Sequence, residues 1–405
     1  MARETIGGPA TDMSRKNKKI GYACAYTPLV LIDAAGYIPY RILPMGECPD
    51  QAGQLLHDNL CPHVKRILDR AISKDLPDLA GVVFINSCDA MRRLSDAWRH
   101  VRPDDNIILL DLPAIADEAA VAFFAKELTR LIESLSEWSG RRITNSDIET
   151  SIDLYNKLPD IFAKLRERLR RDKLPGGSTR MQTLYNAAMM APFKKSMVNL
   201  RQALAEPEST TTRTAGGLDF TATSGKRQGR EVPQSLRVEP GASHPVWKTQ
   251  SPAPETDGIP VFLFGNVLAD PEAFTLFESC GARIIDDDLC TGSRLFTPLE
   301  IDGNKDLVLQ ISRSLMTRSP CARTFDPAKP LKMAEDILAR AQASGARGVI
   351  GQTIKFCDPY LDRLPAVRET LREAGIPLLL LEGDCSLRSI EQQRTRIEAF
   401  IEMLV

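Results

Sequence analysis

The chain has 405 residues, 43 % hydrophobic and 26 % charged, an ordinary globular composition with enough length for two cores. Its formal net charge of −1 excludes the phosphate-tracking surface of a nucleic-acid binder, so no nucleic-acid partner is expected. No apolar run approaches the ~20 residues that span a bilayer, and the polar start lacks a secretory signal; the reading is a cytoplasmic protein without a membrane partner, its nine cysteines kept reduced.

A polar tail, residues 1–18, precedes the first predicted strand, Lys19 to Cys24. Pro28 to Ala35 reads as a helix stopped by Gly36, and Tyr37 to Leu43 as a second strand. Cys61 to Ile72 has helical periodicity. Gly81 to Asn86 (GVVFIN) is a continuous apolar run, as in a strand buried on both faces. A helix over Asp89 to His100 and a strand over Asn106 to Leu112 follow. Such alternation predicts a parallel sheet covered on both faces, so residues 19–145 are read as a first α/β domain. From 146 to 205 the pattern is helical, with two long helices, Asp147 to Arg171 and Met181 to Leu204, parted by a Pro-Gly-Gly break at Pro175. The basic run Lys164 to Lys173 reads as a solvated helix end, where cations complement the dipole.

Residues 206–257 are rich in Ser, Thr, Pro, Gly and charge and lack apolar periodicity, which predicts a disordered linker or insertion. The α/β rhythm resumes over 258–405, a second α/β domain. Its predicted elements begin with strand Val261 to Phe264, helix Pro271 to Ser279, strand Arg283 to Asp286 and helix Ala328 to Ala343. Strand Gly348 to Thr353, helix Tyr360 to Ala374, strand Pro377 to Leu381 and a closing helix to Met403 complete it. The predicted fold is α/β: two doubly wound parallel sheets with a helical segment between them.

In open parallel sheets ligands bind beyond the carboxyl ends of the strands, and five cysteines fall there. Cys24 follows KKIGYA, Cys88 follows GVVFINS, Cys290 follows ARIIDDDL, Cys357 follows GVIGQTIKF and Cys385 follows LLLLEGD. Cys61 opens a helix ahead of Pro62, and Cys321 follows Pro320; a helix N-terminus favours an anionic thiolate. These seven are the candidate metal ligands. Cys280, just before Gly281, reads as a packing residue, and no argument assigns Cys48. The competing reading is that all nine are inert buried thiols. Zinc fits poorly, because there is no CxxC pair and only His57, His63, His100 and His244. His63, which follows the Cys-Pro pair, is a candidate ligand, with a surface helix position as the simpler reading. Dispersed strand-end thiols suit an iron–sulfur cluster, whose usual ligands are thiolates. Arg294 has the fork to grip a phosphate or carboxylate, with an ordinary ion pair as the simpler reading.

Several segments carry a resemblance. They are YTPLVLIDAAGYIPYRI (Tyr26 to Ile42), NLCPHV (Asn59 to Val64), NSCDAMRRLSDAW (Asn86 to Trp98), DDLCTGSRLF (Asp287 to Phe296), IKFCDPY (Ile354 to Tyr360) and QQRTRIEAF (Gln392 to Phe400). Together they resemble the 2-hydroxyacyl-CoA dehydratase and benzoyl-CoA reductase family. The resemblance implies two flavodoxin-like domains with an oxygen-sensitive [4Fe-4S] cubane between them. Its three ligating positions match Cys61, Cys88 and Cys357 here. It also implies one iron open to a thioester carbonyl or small anion, an acyl-CoA substrate, and an ATP-hydrolysing activator protein that delivers electrons. Assembly would be a homodimer, or a heterodimer with a related subunit.

The chain departs from the family pattern in places. Leu29 and Val30 stand where an acidic pair is common, Cys385 stands where tyrosine is more frequent, and the 206–257 segment is long. The surplus cysteines match a homodimeric branch of the family that carries a double-cubane [8Fe-9S] cluster on six cysteines. Cys290 and Cys321, with Cys24 or Cys385, would supply the second three. The expectation is therefore an iron–sulfur component of an ATP-activated, low-potential reductase or dehydratase acting by one-electron transfer. The alternative is a non-catalytic electron carrier or scaffold of the same fold. No motif marks a catalytic residue, the CoA contacts or a particular acyl group.

Overall fold

A computed structural model describes residues 18–45, 50–208, 258–302, 306–384 and 391–405. Cys48, Cys385 and all but the first three residues of the predicted linker lie outside the described residues, as does the tail up to residue 17.

The chain opens with β1 (Lys19–Tyr22), α1 (Leu29–Ala34), β2 (Ile38–Arg41), α2 (Pro62–Ile72) and β3 (Leu79–Asn86). Next come α3 (Asp89–Val101), β4 (Ile107–Asp111) and α4 (Glu118–Ser139). Four helices follow: α5 (Asn145–Tyr155), α6 (Lys157–Arg170), α7 (Gly177–Met190) and α8 (Phe193–Ala205). The later part runs β5 (Ile259–Gly265), α9 (Pro271–Ser279), β6 (Ala282–Leu289), α10 (Leu307–Thr317) and α11 (Lys332–Ser344). It ends with β7 (Gly348–Ile354), α12 (Asp358–Glu373), β8 (Leu378–Gly383) and α13 (Arg394–Met403).

The eight strands form two four-stranded sheets ordered β2-β1-β3-β4 and β6-β5-β7-β8. All neighbouring strands are parallel. The two sheets thus repeat one topology, and each reverses its strand order between its first and third strands. That reversal opens a crevice at the carboxyl ends. Helices on both faces explain the continuous apolar run in β3, where Val82, Val83, Phe84 and Ile85 are all fully buried. From α3, Leu94 and Trp98 pack there, each burial contributing about 1.5–3 kcal/mol.

The structure alters the predicted helices. The two long ones are four: α5 and α6 part at Asn156, whose amide bonds both backbone groups of Leu299 (2.9 and 2.8 Å). Helices α7 and α8 part where Pro192 forces Ala191 to be extended. Two helices have no counterpart in the sequence reading. In α4, Val121, Phe124, Leu128, Leu131 and Leu135 are buried; in α10, Leu307, Ile311 and Leu315 are. The basic run is not simply a solvated end. Arg170 turns inward to the buried Asp286 (2.6 Å), and Arg166 approaches it as well (3.8 Å), while Arg171 stays exposed.

The helical segment packs against both sheets. Phe162, Tyr185 and Phe296 form a ring cluster with centroids 4.3–5.5 Å apart. Ala25 and Leu43 join it from the first sheet's loops, and Ala269 and Leu295 from the second's. Helix α10 lies on α4, where Ser312 Oγ donates to the Val121 carbonyl (2.7 Å). Among the described residues, no helix is long and apolar enough to cross a membrane.

Candidate functional site

Six of the seven candidate ligands line one cavity of about 110 Å³: Cys24, Cys61, Cys88, Cys290, Cys321 and Cys357. The seventh, Cys385, lies outside the described residues. The cavity walls come from the segments just past β1, β3, β5, β6 and β7, so the crevices of the two sheets share it.

Three of the thiols sit at helix starts. Cys61, Cys88 and Cys357 are the N-cap residues of α2, α3 and α12. Pro62 and Pro359 pre-set the first turn in two of the three. The N–H groups of His63 and Val64 favour the Cys61 thiolate, those of Ala90 and Met91 favour that of Cys88, and that of Tyr360 favours that of Cys357. None of the three thiols closes a full capping hydrogen bond. The His63, Val64, Ala90 and Met91 N–H groups remain available to an anion, while that of Tyr360 already donates to the Cys357 carbonyl (3.0 Å). Phe356, just before Cys357, holds φ at +60°, a conformation that costs a non-glycine residue about 1–2 kcal/mol. It turns the chain out of β7 and into α12.

The other three stand on turns. Cys24 lies in the turn after β1. Cys290 follows β6, and its Sγ donates to the Asn266 carbonyl (2.6 Å). Cys321 rides a loop tied back to the first sheet. Phe325 N donates to the Ala114 carbonyl (2.7 Å), Arg323 to that of Leu112 (3.1 Å), and the Tyr26 and Thr324 hydroxyls bond each other (2.7 Å).

Burial dominates the electrostatics. It pushes the Cys88 and Cys290 thiols up to about 11 and Cys357 up to about 12, and it raises Cys24 and Cys61 as well. Repulsion between thiolates adds to the rise. Cys88 feels Cys61 and Cys321; Cys357 feels Cys61, Cys88 and Cys321. Cys290 feels Cys321 and Cys24, and Cys24 feels Cys321. By position the six divide into three at helix starts, Cys61, Cys88 and Cys357, and three on turns, Cys24, Cys290 and Cys321.

No three His, Cys, Asp or Glu side chains among the described residues are arranged to hold a single metal ion. A cluster of several atoms spreads its ligands more widely than one ion does, so thiols lining a cavity remain a suitable donor set for one. Thiolates are the ligating form, so binding a metal here would release protons.

The structure corrects the reading of His63. It is buried and lines the cavity rather than the surface, and its Nδ1 has no hydrogen-bond partner. Burial, then the nearby Arg41, lowers it to about 3, so the ring is neutral. Arg294 is the ion pair anticipated: it holds Asp288 at 2.7 Å and also reaches the Tyr360 hydroxyl (3.2 Å). Cys280 is buried in the core around α9.

Two cavity residues were missed. Asn266, just past β5, donates from Nδ2 to Cys357 Sγ (2.9 Å) and accepts from Ile354 N–H (3.2 Å). The strand-end rule that marks the cysteines applies to it equally. Arg41, the last residue of β2, is 1 % exposed; its signal is a lone charge inside an apolar strand.

Comparison with known proteins adds a family. The family described as 2-hydroxyglutaryl-CoA dehydratase, D-component, matches residues 24–404. The chain is 25 % identical to the (R)-phenyllactyl-CoA dehydratase beta subunit of Clostridium sporogenes, over 96 % of this chain and 92 % of that one. It is 24 % identical to lactoyl-CoA dehydratase subunit beta of Anaerotignum propionicum, covering 95 % and 91 %. To a benzoyl-CoA reductase subunit of Thauera aromatica it is 23 % identical, covering 91 % and 85 %.

Proposed function

The chain belongs to the 2-hydroxyglutaryl-CoA dehydratase D-component family, and from that premise we propose that it is the iron–sulfur subunit of a dehydratase- or reductase-type system acting on acyl-CoA. The observation that carries this reading is the convergence of six thiols on one buried cavity at the two sheet crevices. The residues present fit such a group: soft sulfur donors, unclosed N–H groups at the starts of α2 and α3, and a buried guanidinium.

Six thiols in one cavity favour a double-cubane [8Fe-9S] cluster, with Cys61, Cys88 and Cys357 holding one half and Cys24, Cys290 and Cys321 the other. When bound, an iron–sulfur cluster supplies single electrons at low potential. The chain's own residues then have distinct tasks. Asn266 orients Cys357 Sγ, the first-turn N–H groups offset thiolate charge, and the surrounding apolar side chains keep water out. An ATP-hydrolysing activator would be the electron donor, as the sequence resemblance implies. Two of the relatives are named beta subunits of dehydratases, which supports a companion subunit for this chain. Those same names favour a second reading, a dehydratase subunit with a single [4Fe-4S] cubane on Cys61, Cys88 and Cys357.

Iron and acid-labile sulfide analysis after anaerobic purification tests the proposal. About eight irons per chain is the expected result, about four selects the single-cubane reading, and none refutes both; these counts follow from the cluster formulae.

A further inference from the structure

Three arginines are buried among the described residues: Arg41, Arg70 and Arg294. Arg70 pairs with Asp75 (2.9 Å) and Arg294 with Asp288 (2.7 Å). Arg41 is the most deeply buried of the three, and no carboxylate among the described residues lies within ion-pair distance of it. Its guanidinium donates to the Cys290 carbonyl, to the Ala23 carbonyl (3.4 Å) and to Met189 Sδ (3.4 Å), and it lies 6.0 Å from the Tyr22 ring. Its Nε has no partner. A guanidinium cannot shed its proton to escape this situation, and burying a charge without a counter-charge is costly. The guanidinium lines the thiol cavity. It also holds the backbone of Cys290 and of the residue before Cys24, so its charge falls on that half of the cavity.

The Cys61, Cys88 and Cys357 group has helix starts to offset negative charge. Cys24, Cys290 and Cys321 cap no helix, and Arg41 stands beside two of them. We propose that Arg41 is a positioning residue: the fixed counter-ion of the anionic group held by Cys24, Cys290 and Cys321. This rests on the iron–sulfur reading above and deepens it. A cationic neighbour favours the more negative, reduced state, so it raises the potential of whatever that half holds.

The test compares wild type, Arg41→Gln and Arg41→Lys as full chains purified anaerobically. Iron content, the midpoint potential followed by electron paramagnetic resonance, and the melting temperature of the metal-free protein are measured. Arg41→Gln is expected to hold less iron than Arg41→Lys or to show a potential shifted to more negative values. Arg41→Lys, which keeps the charge, should stay near wild type in both. Three results overturn the proposal: an Arg41→Gln protein with wild-type iron and potential, equal losses in both variants, or a collapsed metal-free melting temperature in either, which would assign Arg41 a packing role. A wild-type protein without iron refutes the iron–sulfur reading itself. That outcome differs from a loaded wild type indifferent to Arg41.

Discussion

The cavity has two sides that solve one problem differently. On one side, Cys61, Cys88 and Cys357 each begin a helix, and the backbone supplies the positive field that a thiolate needs. On the other, Cys24, Cys290 and Cys321 sit on turns, and the compensating charge comes from the Arg41 side chain. Backbone compensation is built into any strand–turn–helix unit and is hard to remove by mutation. Side-chain compensation rests on Arg41, which alone of the groups there reaches both Cys24 and Cys290, alongside Arg294 at Cys290 and the Tyr26 N–H and Ser87 hydroxyl at Cys24. That makes this side the adjustable one. The same topology in both sheets supports the first arrangement twice over, since Cys88 and Cys357 follow the third strand of their respective sheets.

The largest effect expected is on iron. A Cys88→Ser/Cys290→Ser double variant, cut on both sides, should hold no iron, while each single variant should keep about half, three thiolates serving each cubane. Elemental analysis checks this, and full iron in Cys290→Ser would erase the distinction between the sides.

A pH series on the metal-free protein sharpens the comparison next. Thiols with a usual value of 9.0 are raised to about 11 at Cys88 and Cys290 and to about 12 at Cys357. Their stabilisation is therefore complete below pH 9 and lost as pH rises through that window, because the unfolded chain releases protons first. His63, lowered from 6.5 to about 3, acts oppositely: its contribution is present above 6.5 and lost as pH falls toward 3. Thermal melts should therefore show an alkaline fall that is shallower in Cys88→Ser. Identical alkaline slopes in the two proteins would contradict the burial argument.

Smaller effects concern single supports. Asn266→Ala leaves the Ile354 N–H and the Cys357 sulfur without their partner and should destabilise the metal-free protein by about 1–3 kcal/mol in denaturant titrations. Phe356→Gly relieves the left-handed backbone at residue 356 and should stabilise by no more than about 1 kcal/mol, since glycine also gains freedom in the unfolded chain. A destabilisation there would mean that the half-exposed ring itself contributes.

The strands were readable because continuous apolar runs such as GVVFIN have one economical use, a parallel strand covered on both faces. The break at Asn156 was harder, since it depends on a long-range bond to Leu299, whereas Pro192 is itself a local stop signal in the sequence. Helices α4 and α10 did carry helical spacing in Val121, Phe124, Leu128, Leu131 and Leu135 and in Leu307, Ile311 and Leu315. At the site, strand ends and helix starts marked five of the cysteines, and the end of β5 marked Asn266. Which of them share a cavity depends on how two sheets face each other, and no local pattern encodes that. Cys321 reaches the cavity through a loop anchored on Leu112 and Ala114, contacts separated by some two hundred residues in sequence. Arg41 shows the limit most clearly, because its importance lies in having no carboxylate among the described residues within ion-pair distance.

The most direct test is anomalous diffraction at the iron absorption edge, from crystals of the full chain grown without oxygen. Iron density bonded to Cys61, Cys88 and Cys357 and to Cys24, Cys290 and Cys321 within one cavity is the expected result. Density confined to the three helix-start thiols, or none, would contradict it.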